Sequence, residues 1–229
     1  MRQVRVVVLL VLVGTLTFGM QVAGAAGKGG SKTQTPIPLA QTGQTTSLAS
    51  GDDGDLRMGV PLPSPRFTDA GDATIDNLTG LMWLKDLDCM ATHYPQFDQY
   101  ETVGDGLVQW QQALDFIAGI NAGTYPLCGA GYVDWRLPNI HELLSLVDWS
   151  RSGPSPLVYL PADHPFVRLV PSADDFATQF YWSSTTVSGS SPSGSFASYY
   201  LGFTKGEVWW NYWNAPFLVW PVRGGKAAR

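Results

Sequence analysis

Apolar and polar positions divide this chain into a leader, a sparse stretch and a dense C-terminal part. Val6 to Phe18 is a predominantly apolar run, and residues 26–63 hold few large apolar side chains. From Ser64 onward short apolar runs alternate with turn residues. Arg66-Phe67-Thr68-Asp69 and Thr74-Ile75-Asp76 flank Ala70-Gly71-Asp72-Ala73, which predicts a hairpin. Leu81-Met82-Trp83-Leu84 is continuously apolar and predicts a short buried strand. Leu107, Trp110, Ala113, Leu114 and Ile117 fall on one helical face, with Asp105 as its cap and Gly123 at its end. Ile140, Leu143, Leu144 and Val147 repeat that spacing. Ahead of them Pro138 holds Leu137 extended, and Asn139 with Glu142 has the spacing of a capping box. Phe180 to Thr185, Phe196 to Phe203 and Glu207 to Trp213 predict three strands of an antiparallel meander, with a turn at Lys205-Gly206. Phe217 to Val222 closes the domain. Between helix and meander, Ser150 to Gln179 carries Pro154, Pro156, Pro161, Pro165 and Pro171 and reads as a long loop with short turns.

The leader changes the picture of where the chain works. Arg2 and Arg5 precede the apolar run and Ala23-Gly24-Ala25 follows it, which is the pattern of a secretory signal over residues 1–25. The alternative, an uncleaved anchor, suits these flanks less well, and the run is short for a spanning helix. No later stretch is apolar enough to cross a bilayer, so the mature chain is not expected to insert in one. Residues 26–63 read as a flexible Gly/Ser/Thr/Pro linker, 64–225 as the globular domain and 226–229 as a tail. The formal net charge is −5, and losing Arg2 and Arg5 with the leader makes it more negative. That excludes nucleic acid as the main partner. Cys89 and Cys128 are the two cysteines. In an exported chain, without Cys-x-x-Cys spacing, they predict one structural disulfide, stabilising by about 4 kcal/mol in the chain-entropy model.

Candidate chemistry is sparse. His141-Glu142-Leu143-Leu144-Ser145 begins like a zinc-protease motif but ends in serine, and His93 and His164 lack ligand spacing. No metal site is expected. The aspartates at 52, 53 and 55 and those at 69, 72 and 76 make calcium the one cofactor to consider, but neither set has the order of a calcium loop. No Gly-x-Ser-x-Gly elbow occurs. The residues therefore point away from an enzyme, although acidic pairs such as Asp174 and Asp175 leave a hydrolase as a remote alternative. Asp134, Trp135 and Arg136 set a carboxylate, a large ring and a guanidinium side by side, which predicts a buried ring with paired charges around it. Arg136 and Arg223 are expected to pair or to bond backbone within the fold.

Several motifs in fixed order resemble a known bacterial family. They are Pro65-Arg66-Phe67-Thr68-Asp69, Asp76-Asn77-Leu78-Thr79-Gly80-Leu81-Met82-Trp83, Trp110-Gln111-x-Ala113-Leu114, Trp135-Arg136-Leu137-Pro138-Asn139, Glu142-Leu143, Tyr181-Trp182-Ser183-Ser184-Thr185 and Val222-Arg223-Gly224-Gly225. The family is named after the C-terminal domain of a Legionella collagen-like protein, and the resemblance spans about residues 64 to 225. It implies an α+β fold like that of C-type lectins and formylglycine-generating enzymes, with two main helices beside small twisted antiparallel sheets. Trp83, Trp135, Arg136, Pro138, Asn139, Trp182 and Arg223 would belong to the structural frame of that fold. The resemblance also implies an adhesive or ligand-binding role.

The strand Glu207 to Trp213 is the candidate site. Side chains alternate faces along a strand. Glu207, Trp209, Asn211 and Trp213 are expected on one side and Val208, Trp210 and Tyr212 on the other. Val208 marks the second set as the core face, which leaves Trp209, Asn211 and Trp213 toward a ligand. Rings beside amides and carboxylates suit sugars. The partner would be a glycan or an extracellular protein. Burial of both sets, in a core or in an assembly interface, is the competing reading, and the oligomeric state stays open.

Overall fold

Two hairpin-built sheets grow from the short apolar runs. The computed structural model describes residues 39–98, 102–151, 159–168, 180–188 and 196–224. The leader, residues 26–38 and the 226–229 tail lie outside these, as do Asp174 and Asp175. Strands β1 (Phe67–Ala70) and β2 (Ala73–Asp76) form the expected hairpin, with Gly71 supplying the positive φ of its turn. β2 pairs with β3 (Met82–Leu84), and β3 with the two-residue β7 (Val222–Arg223), giving the sheet order β1-β2-β3-β7. The second sheet is the expected meander of β4 (Phe180–Thr186), β5 (Ala197–Gly202) and β6 (Glu207–Tyr212). The architecture is thus α+β with small antiparallel sheets and few helices.

Alternation along β4 feeds two cores. Tyr181 enters a cluster with Trp83, Leu143, Leu201, Phe203 and Trp220. Phe180 and Trp182 enter another, under the helix α3 (Trp110–Asn121), with Trp110, Phe116, Ile120, Trp135 and Phe217. The start of α3 corrects the sequence reading. Its cap is Gln109, in a reciprocal box with Gln112, whereas the Asp105 carboxylate accepts from the nearby Leu107 amide at 2.9 Å. Gly123, at φ 77°, follows it. A five-residue helix, α2 (Cys89–His93), stands inside what composition shows only as a polar excursion; it is too short for a periodic signal. Cys89 is joined to Cys128 at the end of a 3₁₀ turn (Pro126–Cys128), as expected. α4 (Ile140–Leu144) carries the expected capping box: Asn139 Oδ1 accepts from the Glu142 amide at 3.0 Å and Glu142 Oε2 from the Asn139 amide at 2.8 Å. It ends before Val147, which packs into the core from the turn that follows. Of the proline-rich loop, the described residues 159–168 bury Leu160 and Phe166 and bond through Val167 to Lys85 and Leu87.

Residues 39–63 correct the linker reading where they are described. A short helix, α1 (Asp53–Leu56), is capped by Asp52, whose carboxylate accepts from the amides of Leu48, Ala49 and Asp55 at 2.6–2.9 Å. Leu39 and Gln41 bond to Val60, and the Trp149 amide donates to the Thr42 carbonyl at 2.9 Å. Side-chain oxygens and backbone bonds order this arm, not buried apolar area, so its composition resembles that of a flexible stretch.

The β1-β2-β3-β7 sheet is tied to the end of α4 by a buried ion pair. Arg66 donates to both oxygens of Asp76 at 2.7 and 3.0 Å, and its Nη2 also reaches the Ser145 carbonyl at 2.7 Å. The side chains are only 4% and 0% exposed. Asp76 accepts further from the Leu78 amide and the Thr79 hydroxyl. Removing one partner strands a buried charge, so Arg66→Ala is expected to cost about 3–5 kcal/mol in equilibrium denaturation. Acid should act on the arm. The three amides hold the Asp52 carboxyl down at about 2, below its ordinary 3.8. A depressed carboxyl stabilises fully above the unfolded value and loses that contribution as pH falls through the folded one. The hydrogen-exchange protection of the Leu48 and Ala49 amides, relative to their intrinsic rates at each pH, should therefore fall between pH 4 and about 2. Asp52→Ala should show the same loss of protection at neutral pH.

Candidate ligand-binding strand

β6 begins where Gly206, at φ 65°, turns the chain over the Trp149 ring; a Cβ there would lie 2.9 Å from that ring. Its register with β5 pairs Val208 with Leu201, Trp209 with Tyr200, Trp210 with Tyr199, Asn211 with Ser198 and Tyr212 with Ala197. Paired residues share a face. The expected alternation is therefore present, with Val208, Trp210 and Tyr212 on one side and Trp209 and Asn211 on the other. Burial does not follow it. β6 is the outer strand of its sheet, and β4 and β5 take the core positions on both faces. Trp209 is 56% exposed, Trp210 50% and Tyr212 42%. Trp210 is thus no core residue, contrary to the sequence reading. Only Val208, at the start of the strand, packs against the core.

Trp213 is corrected in the opposite sense. β6 ends at Tyr212, and the Trp213 ring stacks on Trp110 at 4.3 Å and 15° and on Phe196 at 4.8 Å and 24°. Its Nε1 donates to the Ser198 hydroxyl at 2.8 Å, and its carbonyl accepts from the Trp110 amide. It anchors the end of the meander to α3. Trp210 and Tyr212 stand edge to face at 5.8 Å and 83°. Asn211 Oδ1 accepts from the Tyr212 amide, and Glu207 is half-buried. Burial, and then the Glu207 carboxylate, raise the Tyr200 hydroxyl above its ordinary pKa. The strand thus offers Trp209 to one side and the Trp210–Tyr212 pair to the other.

The expected frame residues sit where the motifs imply. Trp83, Trp135 and Trp182 are buried. Arg136 makes a two-pronged pair with Glu142 at 2.6 and 2.7 Å and reaches the Gly224 carbonyl. Arg223 grips Asp134 at 2.6 and 3.2 Å, with its guanidinium 3.8 Å over the Tyr132 ring. The Pro138 carbonyl accepts from the Ser184 amide. Glu142 is held by Arg136 and its own capping box, and His141 and Glu142 form a helix start instead of a zinc motif. Three of the aspartates that raised calcium are engaged by protein donors: Asp52 by three amides, Asp76 by Arg66, and Asp69 by Lys85 and the Gly71 amide.

The sequence reading passed over a second polar group. Beside the disulfide, Asp86, His93 and Arg168 meet on a cavity of about 230 Å³, also lined by Lys85 and Leu127. Asp86, Cys89 and His93 bracket α2 at near-helical spacing, which is the signal that could have found them.

The packing of the strand sets an opposite pair of mutational outcomes. Trp213→Ala should lower stability by about 3 kcal/mol, as loss of a packed ring does. Trp210→Ala should stay within about 0.5–1 kcal/mol of the parent. Denaturant titration of both variants checks this.

Residues 72–223 match the family described as the Lcl C-terminal domain. No curated protein matches the chain. The match runs from the β1–β2 turn to the end of β7, and so takes in most of both sheets, both cores and the Trp135–Asn139 turn. It covers more than half of the sequence, and the chain belongs to the Lcl C-terminal domain family.

Proposed function

We propose that this protein is an exported, non-catalytic binding module that holds a glycan chain on the outer strand β6. One observation carries the reading: Trp209, Trp210 and Tyr212 expose their rings on a strand whose position the rest of the sheet fixes. A sugar stacks its apolar C–H face on such a ring and hydrogen-bonds around the rim, here to Glu207, Asn211 and the Tyr212 hydroxyl. The Trp210–Tyr212 corner suits one sugar ring, and Trp209 serves the other side of the strand. In this reading the fold is of the C-type-lectin kind. Export is supported by the leader and by the disulfide, which persists in oxidising compartments. Among the described residues no helix is long and apolar enough to cross a membrane.

A second reading takes β6 as an assembly interface, because an outer strand with exposed rings also invites strand-to-strand association. A glycan array on the purified protein, with light scattering on the same sample, separates the two. Saturable binding by a monomer is expected. Trp209→Ala or Trp210→Ala should weaken it by about 1–3 kcal/mol, by analogy with base–ring stacking, while leaving the fold intact. Absence of sugar binding together with self-association lost on the same substitutions would establish the interface instead.

A further inference from the structure

Asp86, Cys89 and His93 bring one donor atom each together at the disulfide, and the three atoms lie within 4.8 Å of one another. Asp86 Oδ2 and His93 Nε2 are 3.9 Å apart. Around a tetrahedral zinc ion, bonds of about 2.0–2.3 Å separate neighbouring donors by roughly 3.3–3.8 Å. Small side-chain rotations therefore bring all three into one shell. α2 supplies the arrangement: Cys89 and His93 are four residues apart on one helix face, and Asp86 lies just before its first turn. Both side chains flanking the sulfur are partly open, Asp86 at 16% and His93 at 31%, so an ion has access from the adjoining cavity.

A cation already rests on two of these donors. Arg168 Nη1 is 2.9 Å from Asp86 Oδ2 and 3.5 Å from His93 Nε2. A guanidinium only donates, so the carboxylate accepts from it, and Nε2 does so in the tautomer that carries its proton on Nδ1. The third donor, Cys89 Sγ, is occupied by its bond to Cys128.

We propose that reduction of the Cys89–Cys128 disulfide creates a zinc site, with Asp86, Cys89 and His93 as ligands and Cys128 as the fourth. A dithiol reductant supplies the two electrons and two protons. It leaves as its own cyclic disulfide while the protein gains two thiols. Zinc then binds both sulfurs as thiolates, two protons are released, and Arg168 is displaced from the carboxylate and the imidazole. Two thiolates, an imidazole and a carboxylate form a donor set that suits zinc. The oxidised protein keeps the donors apart in function, because one is a disulfide sulfur and two face an arginine. The site is independent of any ligand on β6.

Cobalt titration of the full chain tests this, with cobalt standing in for zinc. After reduction by a phosphine and removal of trace metal, one equivalent of Co²⁺ should give tetrahedral d–d bands and a thiolate charge-transfer band, both erased by Zn²⁺. The oxidised protein should give neither. Cys128→Ser frees Cys89 without reductant and should retain one equivalent, with a weaker thiolate band. His93→Ala and Asp86→Asn should each weaken binding by more than about tenfold, and Arg168→Ala should tighten it. Should reduction loosen the fold, the reduced His93→Ala and Asp86→Asn chains still decide the matter, since an unfolded dithiol would bind without regard to either residue. Equal affinity in those variants overturns the proposal, as does a reduced protein and a Cys128→Ser variant that both lack the thiolate band.

Discussion

A buried indole N–H calls for an acceptor, and in this domain four of them find backbone carbonyls. An unmet buried donor costs about 1–3 kcal/mol, so each such bond constrains the chain at both ends. Trp182 donates to the Val108 carbonyl at 2.9 Å, and Trp110 donates to the Ser183 carbonyl at 2.8 Å. These two bonds cross, locking the entry of α3 to the middle of β4. Trp220 reaches the Leu84 carbonyl at 2.9 Å and Trp135 the Gly129 carbonyl at 2.8 Å. Two cores rich in rings, which by apolar packing alone would tolerate many orientations, are thereby given one. Trp83 is the exception: its Nε1 has no acceptor among the described residues, and its ring rests instead 5.3 Å from Trp220.

The same logic separates structural from available rings on β6. Trp213 has a stacking partner on each side and a hydroxyl for its N–H. Trp209 and Trp210 stand half or more in solvent, where water can satisfy theirs. The meander is fixed at its inner strands and at the Trp213 anchor, so the outer strand needs no further burial to hold its place. Arg136 extends the frame across the molecule. Its backbone exchanges two bonds with Val222 while its side chain holds Glu142, the partner of Asn139 in the capping box of α4.

Much of this was legible in the sequence. Strand runs, the β1–β2 turn, the Asn139–Glu142 box and the cysteine pair each carry a local signal, because neighbours in sequence satisfy them. What stayed hidden depends on distant partners. Alternation assigns Trp210 and Trp213 to opposite faces, but it cannot say that β4 and β5 fill the core on both sides of the sheet, or that Trp110 waits for Trp213. The start of α3 went astray because Asp105 closes a turn of its own two residues on, while glutamines do the capping. Residues 39–63 are ordered by carboxylate-to-amide bonds that composition does not register. The Arg66–Asp76 pair needs the Ser145 carbonyl, far along the chain, to become a junction.

The overhang of β6 has a consequence for descent. Backbone bonds to β5 set the strand's path, and its protruding rings contribute little to either core. Positions 209, 210 and 212 can therefore be exchanged over evolutionary time without disturbing the frame beneath them. What the frame needs and what the strand displays are drafted in different residues, and a lineage can rewrite the second while inheriting the first intact.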